Sequence, residues 1–308
     1  MELTPLVVVV PTHGRPGLLR RTLGSLADCN IPESCQELVV VENGLRDGAH
    51  ALVKELPDRL NARYMHRECG NKSYALNEAL KTIEDSLVVF FDDDVEVSSD
   101  TLIAYWEAAS TRGGVGNCFF GGPFSVIHDT PPPEWTRPHL PRSAHGWDPG
   151  DGGGDRDQLF LGFNWAAYKA DLLEVGGFNV NYGPGAPTKS VGQESQMQKR
   201  LMDSGLRKVY VPNASVKHNV SATDYDLWWL LKRKYREGIE VGLGEPKGSL
   251  TLGGVPGWIY RCEDALLKSA YHFAKGERRD GIEALLRIAK HTGIIKGYYR
   301  IGAVNDVG

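Results

Sequence analysis

Three consecutive carboxylates, Asp92, Asp93 and Asp94, stand where the apolar run Leu87-Val-Val-Phe-Phe91 stops. A cluster of like charges at the end of a buried segment is costly unless a cation offsets it. In extended backbone, residues i and i+2 share a side. Asp92 and Asp94 therefore offer paired hard oxygen ligands to Mg²⁺ or Mn²⁺, leaving coordination positions for phosphate oxygens. The same residues also fit a helix cap followed by solvated loop acids. Elsewhere, His128, His139 and His145 show no spacing suited to a metal. The five cysteines are odd in number and lack a C-x-x-C pair, as expected of core thiols in a reducing compartment.

The acidic triplet needs a scaffold, and the first hundred residues supply the pattern of one. Leu6–Val10 and Leu38–Val41 are short, β-branched apolar runs typical of strands buried on both faces of a parallel sheet. Between them, Leu18, Leu19, Thr22, Leu23 and Leu26 recur at helical spacing. A strand near Ala62–Met65, a helix from about Ser73 and a strand at Leu87–Phe91 continue the alternation. The expected fold is α/β, a doubly wound, mixed but mainly parallel sheet, with ligands at the carboxyl ends of its strands. Beyond a Pro-, Gly- and Asp-rich loop over 128–158, the pattern predicts a strand at Leu159–Ala167, helices at Asp171–Val175 and Ser195–Asp203, and a strand at Lys208–Val211. Amphipathic stretches then occupy the tail, including Cys262–Ala274 and Ile282–Ala289. The expected division is an α/β domain over 1–223, with one half to about 98 and a second half over 99–223, followed by a helical extension over 224–308.

Composition narrows the function classes. A net charge of −4 in 308 residues gives no global footprint for nucleic acid. Residues 224–308 carry +3 against −7 for the remainder, so a mildly basic tail follows an acidic body. Trp228 to Arg236 interleaves aromatic and basic side chains. A membrane-surface helix, a helix packed on the catalytic body and a homodimer contact each explain that stretch. No apolar run approaches the ~18 residues of a membrane span. The first apolar run also lacks the basic flank and length of a signal peptide, so a cytoplasmic protein is expected, with peripheral contact to the membrane face as one option.

The ordered segments VVVPTHGRPGLLRRTLGSL, VVVENG, GNKSYALNEAL, FFDDDVEV, FLGFNWAAYKADLLEVGGF and GQESQMQKRL resemble those of the family-2 inverting glycosyltransferases of GT-A fold. The resemblance runs from about Leu6 to Val220. It implies that Pro11, Thr12, Arg15 and Glu42 hold the nucleotide. An acid after the second strand suits ribose hydroxyls or a base N–H, and an arginine suits phosphate. By the same resemblance, Lys72 and Asn77 lie near the donor, Asp92 faces the ribose or metal, Asp93 contacts the donor sugar and Asp94 binds the metal. His218, after a strand, would be a third metal ligand. Trp165 would stack on a sugar, although a core tryptophan is equally compatible. Glu194 falls at the position of the catalytic base, with Gln193 where the family more often has an acid, and the 128–158 loop would close over the substrates.

The implied activity is metal-dependent transfer, with inversion, from a UDP-type nucleotide-sugar to an acceptor hydroxyl in polysaccharide, glycolipid or natural-product glycosylation. Two rivals remain at the level of sequence. A nucleotidyltransferase would release pyrophosphate but wants a more basic, glycine-rich first loop. A non-catalytic nucleotide-sugar or glycan-binding protein is favoured by Gln193 and would bind without turnover.

Overall fold

A computed structural model describes residues 4–110, 117–150, 158–244 and 254–304. The chain divides into two compact units. The first comprises Met1–Ile127, Pro141–Val180 and Gln193–Val220; the second comprises His128–Leu140, Asn181–Gly192 and Ser221–Gly308.

In the first unit the strands are β1 (Leu6–Thr12), β2 (Cys35–Asn43), β3 (Ala62–Arg67), β4 (Leu87–Phe90), β5 (Val95–Val97), β6 (Cys118–Gly121), β7 (Phe124–His128), β8 (Trp165–Tyr168), β9 (Arg207–Tyr210) and β10 (Val216–Val220). Its helices are α1 (Pro16–Asp28), α2 (Ala49–Lys54), α3 (Lys72–Leu80), α4 (Thr101–Ser110), α5 (Lys169–Glu174) and α6 (Gln193–Asp203). The large sheet has the order β3-β2-β1-β4-β8-β6-β9, and a small sheet has the order β5-β10-β7. β8 runs antiparallel to both neighbours, whereas β1, β2, β3 and β4 are parallel. The doubly wound, mixed and mainly parallel fold is therefore present.

Alternation along the strands builds two cores. Leu6, Val8 and Val10 face one side with Leu38, Val40, Leu87 and Val89, where Leu19, Leu23 and Leu26 of α1 cover them. Val7 and Val9 face the other side with Val39, Val41 and Phe90, against Leu76, Ala79 and Leu80 of α3 and Met197 and Leu201 of α6. Each such aliphatic burial contributes at most about 1.5–3 kcal/mol. Because both faces are covered, the strands read as continuous apolar runs rather than alternating ones.

One local expectation is corrected. The strand predicted over Leu159–Ala167 is confined to Trp165–Tyr168. The segment before it turns, with Asn164 N–H donating to Leu161 O, and a backbone engaged in a turn does not extend the strand. Part of the loop expected over 128–158, residues 151–157, lies outside the described residues, as do 245–253 and 305–308 of the expected extension. The described loop contains two single helical turns, and Phe124 and Trp147 exchange backbone hydrogen bonds.

The second unit contains three long helices, α7 (Leu227–Gly244), α8 (Gly254–Ala274) and α9 (Arg278–Val304). Glycines four residues apart, Gly238 and Gly242 on α7 and Gly293 and Gly297 on α9, let the two backbones touch. A Cβ on Gly238 would sit 2.1 Å from Lys290 O, and one on Gly293 would sit 2.1 Å from Tyr235 O. Among the described residues all five cysteines are free, and no helix is long and apolar enough to cross a membrane.

Candidate active site

The order β3-β2-β1-β4 reverses direction between β1 and β4, and a reversal of this kind opens a crevice at the carboxyl ends of the two strands. Asp92, Asp93 and Asp94 emerge there, directly after β4. α1 fixes the exit of the triplet: Thr22 Oγ1 accepts from Val95 N–H at 3.1 Å, and Ser25 Oγ accepts from Val97 N–H at 2.9 Å.

Two charge clusters result. In the first, Thr12 at the end of β1 donates to Asp93 Oδ2 at 2.7 Å. Arg15 sits just before α1 and reaches both Asp93 Oδ1, at 2.5 Å, and Asp94 Oδ2, at 2.9 Å. The register of β10 on β5 sets His218 opposite Val95, next to Asp94, and Asn219 N–H donates to Asp94 O at 2.8 Å. His218 stacks on Phe163 with ring centres 4.5 Å apart, and its Nδ1 meets Ser143 O at 2.9 Å. Its Nε2 is thereby aimed at Asp94 Oδ1 from 3.7 Å, beyond hydrogen-bond reach, and that buried oxygen has no hydrogen-bond partner.

In the second cluster, Asn71 caps α3 by accepting from Tyr74 N–H, which sets Lys72 in the first turn. Lys72 Nζ donates to Asp92 Oδ1 at 2.5 Å and to Glu194 Oε1 at 2.8 Å. Glu194 comes from the first turn of α6, 122 residues away in sequence. The buried Gln193 amide donates to the same Glu194 oxygen at 2.9 Å and accepts from Ser73 Oγ at 3.2 Å. Gly162 lies against this carboxylate; a Cβ there would sit 2.2 Å from Glu194 Cδ.

The electrostatics follow from burial and pairing. Burial opposes ionisation of Glu194, but the Lys72 ammonium outweighs it and holds the carboxyl below its ordinary value. Burial likewise opposes the charge on Lys72, which Asp92 and Glu194 together hold above its ordinary value. For Asp93 burial wins over Arg15, pushing its carboxyl up to about 6. Asp94 is held below its ordinary value: burial opposes ionisation, and the pull of His218 and Arg15 exceeds it. The arrangement presents an ionised carboxylate, Glu194, beside a lysine and an acidic strand end. Those are the elements needed to take a proton from a hydroxyl and to manage the charge of a diphosphate.

Of the expected residues, Lys72, Asp92 and Glu194 meet, and so do Thr12, Arg15, Asp93, Asp94 and His218. Pro11 precedes Thr12 as a buried residue of β1. Glu42 is buried at the end of β2, where one oxygen accepts from Asp47 N–H at 2.6 Å and the other from Tyr64 Oη at 2.5 Å.

Four expectations need correction. Trp165 has no exposed surface and stacks on Phe90 with ring centres 4.9 Å apart, so it offers no face to a sugar. Asn77 spends both ends of its amide on the backbone of Phe178. Asp93 is wholly buried beneath Arg15 and Thr12 and cannot reach a donor sugar. Asp92 pairs with Lys72, and the ligand atoms of Asp92, Asp94 and His218 do not all lie within 4.8 Å of one another. Among the described residues, the group of three metal-capable side chains whose ligand atoms lie within 4.8 Å of one another is instead His272, Glu277 and Asp280, in the helical unit.

Sequence reasoning missed Gly162 and Phe163, which shape the surroundings of Glu194 and His218. Both lie in the segment FLGFNWAAYKADLLEVGGF that carries the resemblance, but nothing local tells their roles, since each acts on a residue distant in the chain.

The family description "Glycosyl transferase family 2" matches residues 7–144. The chain is 27% identical to the succinoglycan biosynthesis protein ExoM of Rhizobium meliloti (strain 1021), over 97% of this chain and 94% of that one. Among solved structures, it resembles the mannosyltransferase PcManGT from Pyrobaculum calidifontis, in complex with GDP-Man and Mn²⁺. That match has a TM-score of 0.54 and 18% identity and covers 100% of this chain and 77% of that one. It also resembles S. aureus TarS 1-349 in complex with UDP-GlcNAc, with a TM-score of 0.54 and 14% identity, covering 97% and 92% of the two chains. At these identities the structural likeness is one of fold.

Proposed function

We propose that the chain, which the description "Glycosyl transferase family 2" matches over residues 7–144, is a glycosyltransferase of that family and moves a sugar, with inversion, from a UDP-linked donor to a hydroxyl of a growing polysaccharide, using Glu194 as the base. The observation that carries this reading is the meeting of Glu194 with Asp92 through Lys72 at the sheet's switch point. Two segments 122 residues apart are brought together there, and the only carboxylate in the first turn of α6 is kept ionised. The UDP assignment draws on the TarS complex with UDP-GlcNAc, and the polysaccharide acceptor on the name of ExoM.

In this reading the acceptor oxygen attacks the anomeric carbon while its proton passes to Glu194. The bond from that carbon to the diphosphate oxygen breaks, and its electron pair leaves with the nucleoside diphosphate. In-line attack from the opposite face inverts the centre. Lys72 and Arg15 supply positive charge near the departing phosphates. Thr12 and Asp93 act beneath them by orienting Arg15. The unpartnered Asp94 oxygen facing His218 Nε2 fits a hard divalent cation, and Asp94 and His218 would hold Mg²⁺ or Mn²⁺. Such an ion neutralises charge on the leaving diphosphate when bound.

The test is to incubate the full chain with UDP- and GDP-sugars, Mn²⁺ or Mg²⁺ and a panel of glycan acceptors, then to identify both products. Release of nucleoside diphosphate with an inverted linkage, visible in the anomeric proton coupling, is the expected result. Pyrophosphate release would instead indicate nucleotidyl transfer, and metal-dependent UDP binding with no turnover would indicate a binding protein.

A further inference from the structure

The helical unit carries a groove that the chemistry above does not use. It encloses about 540 Å³, a volume typical of small-molecule sites, and is lined by α8 and α9 with Val241 from α7. Residues 261, 264, 265 and 268 recur at helical spacing along one face of α8, as do 284, 287, 291 and 294 along α9. Ala265, Ala284 and Ile294 are buried and give the groove an apolar floor.

Its polar lining is strongly one-sided. Arg261 and Lys268 contribute from α8, and Arg287 and Lys290 from α9, against the single acid Asp264. Asp264 is engaged by Lys268 at 2.7 Å, and Arg287 pairs with Glu283. Among the described residues no carboxylate pairs with Arg261 or Lys290. The Arg261 guanidinium lies 4.5 Å from the centre of the Trp258 ring, which holds it in one orientation over the groove. His291 also lies beside that indole, at 5.2 Å between ring centres. His291 Nδ1 is buried and has no hydrogen-bond partner, a state that native proteins retain rarely. Burial, then the charges of Arg261, Lys290 and Arg287, hold its imidazole below the ordinary value.

We propose that this groove binds a phosphate group, as a mono- or diphosphate ester whose apolar or aromatic remainder lies on Trp258 and the alanine floor. A phosphate supplies the acceptor oxygens that the arginine fork and the lysine lack, beside the His291 ring, and it relieves the mutual repulsion of the clustered cations. The chemistry is common to a soluble phosphate ester and to a lipid headgroup, and it does not depend on the donor reaction proposed above.

The test follows the His291 ring resonance in the full chain labelled at histidine carbon, assigned with His291→Gln, during titration with inorganic pyrophosphate. A saturable shift of that resonance is expected. Its midpoint should be weaker by about tenfold or more in an Arg261→Ser/Lys290→Ser double variant, for the loss of charge-assisted hydrogen bonds. Both replaced side chains are exposed, and the unchanged resonances of the other histidines report that the variant is folded. No shift at low-millimolar pyrophosphate, or the same midpoint in the double variant, would overturn the site. A second arm floats the protein with phosphatidylcholine vesicles with and without phosphatidic acid. Binding that needs phosphatidic acid and fails in the double variant identifies a lipid headgroup, whereas a pyrophosphate shift without flotation identifies a soluble ester.

Discussion

The carboxyl edge of the large sheet and the helical unit use charge and glycine in opposite ways. At the sheet edge five ionisable side chains, Lys72, Asp92, Asp93, Asp94 and Glu194, are largely enclosed. The glycine that matters there, Gly162, makes room for a side chain. In the helical unit the ion pairs Lys268–Asp264 and Arg287–Glu283 stand at the surface, and the glycines make room for a neighbouring backbone. Enclosed charge stabilises little, because desolvation offsets the Coulomb gain, but it holds reactive groups in fixed ionisation and position. Close backbone packing contributes stability and no chemistry. Substitutions in the first region should therefore cost turnover more than stability, and those in the second the reverse.

The largest expected effect is that of Glu194→Gln. It keeps the shape and the Lys72 contact but removes the base, and kcat should fall by about 10²–10⁴-fold with a nearly unchanged melting temperature. Single-turnover assay of donor consumption measures this, and near-normal turnover would place the base elsewhere. Gly162→Ala should follow, at about 10²-fold in kcat, because a Cβ 2.2 Å from Glu194 Cδ forces the carboxylate aside. Combined with Glu194→Gln it should add almost nothing, since both act on one group. Third, Asp94→Asn and His218→Ala should each raise the Mn²⁺ concentration for half-maximal rate by about tenfold or more, and chelation of the wild type should abolish a turnover that added metal restores. A metal requirement identical in all three proteins would break the assignment.

The smallest effect on turnover belongs to the other region. Gly238→Ala drives a methyl into Lys290 O and should destabilise the helical unit by about 1–3 kcal/mol. It should lower the melting temperature by a few degrees while leaving kcat per folded molecule unchanged. A variant that melted normally yet lost activity would erase the contrast between the regions.

Much of the fold was legible because its signals are local. The apolar runs at Leu6–Val10 and Leu38–Val41 have the length and β-branching of strands buried on both faces, and the helical spacing that follows Ser73 reveals α3 to within a residue of its start. The acidic triplet was equally legible, since a strand that ends in three carboxylates advertises a site. Other features were hidden because each depends on a partner far along the chain. Trp165 in sequence is an aromatic in a motif; only the pairing of β8 with β4 puts it on Phe90 in the core. Asn77 similarly reads as a donor ligand until Phe178 claims both ends of its amide.

The sequence alone determined the doubly wound sheet, the position of Asp92–Asp94 at its edge and the helical character of the tail. Backbone propensity, period-two alternation and helical spacing act over a few residues and can be read in order. The tertiary structure decided which acid meets which cation: Asp92 with Lys72 and Glu194, Asp94 with Arg15 and His218. It also decided that the glycines of α7 and α9 form a seam. Those pairings are set by strand order, register and loop closure across tens to more than a hundred residues, and no local spacing carries that information.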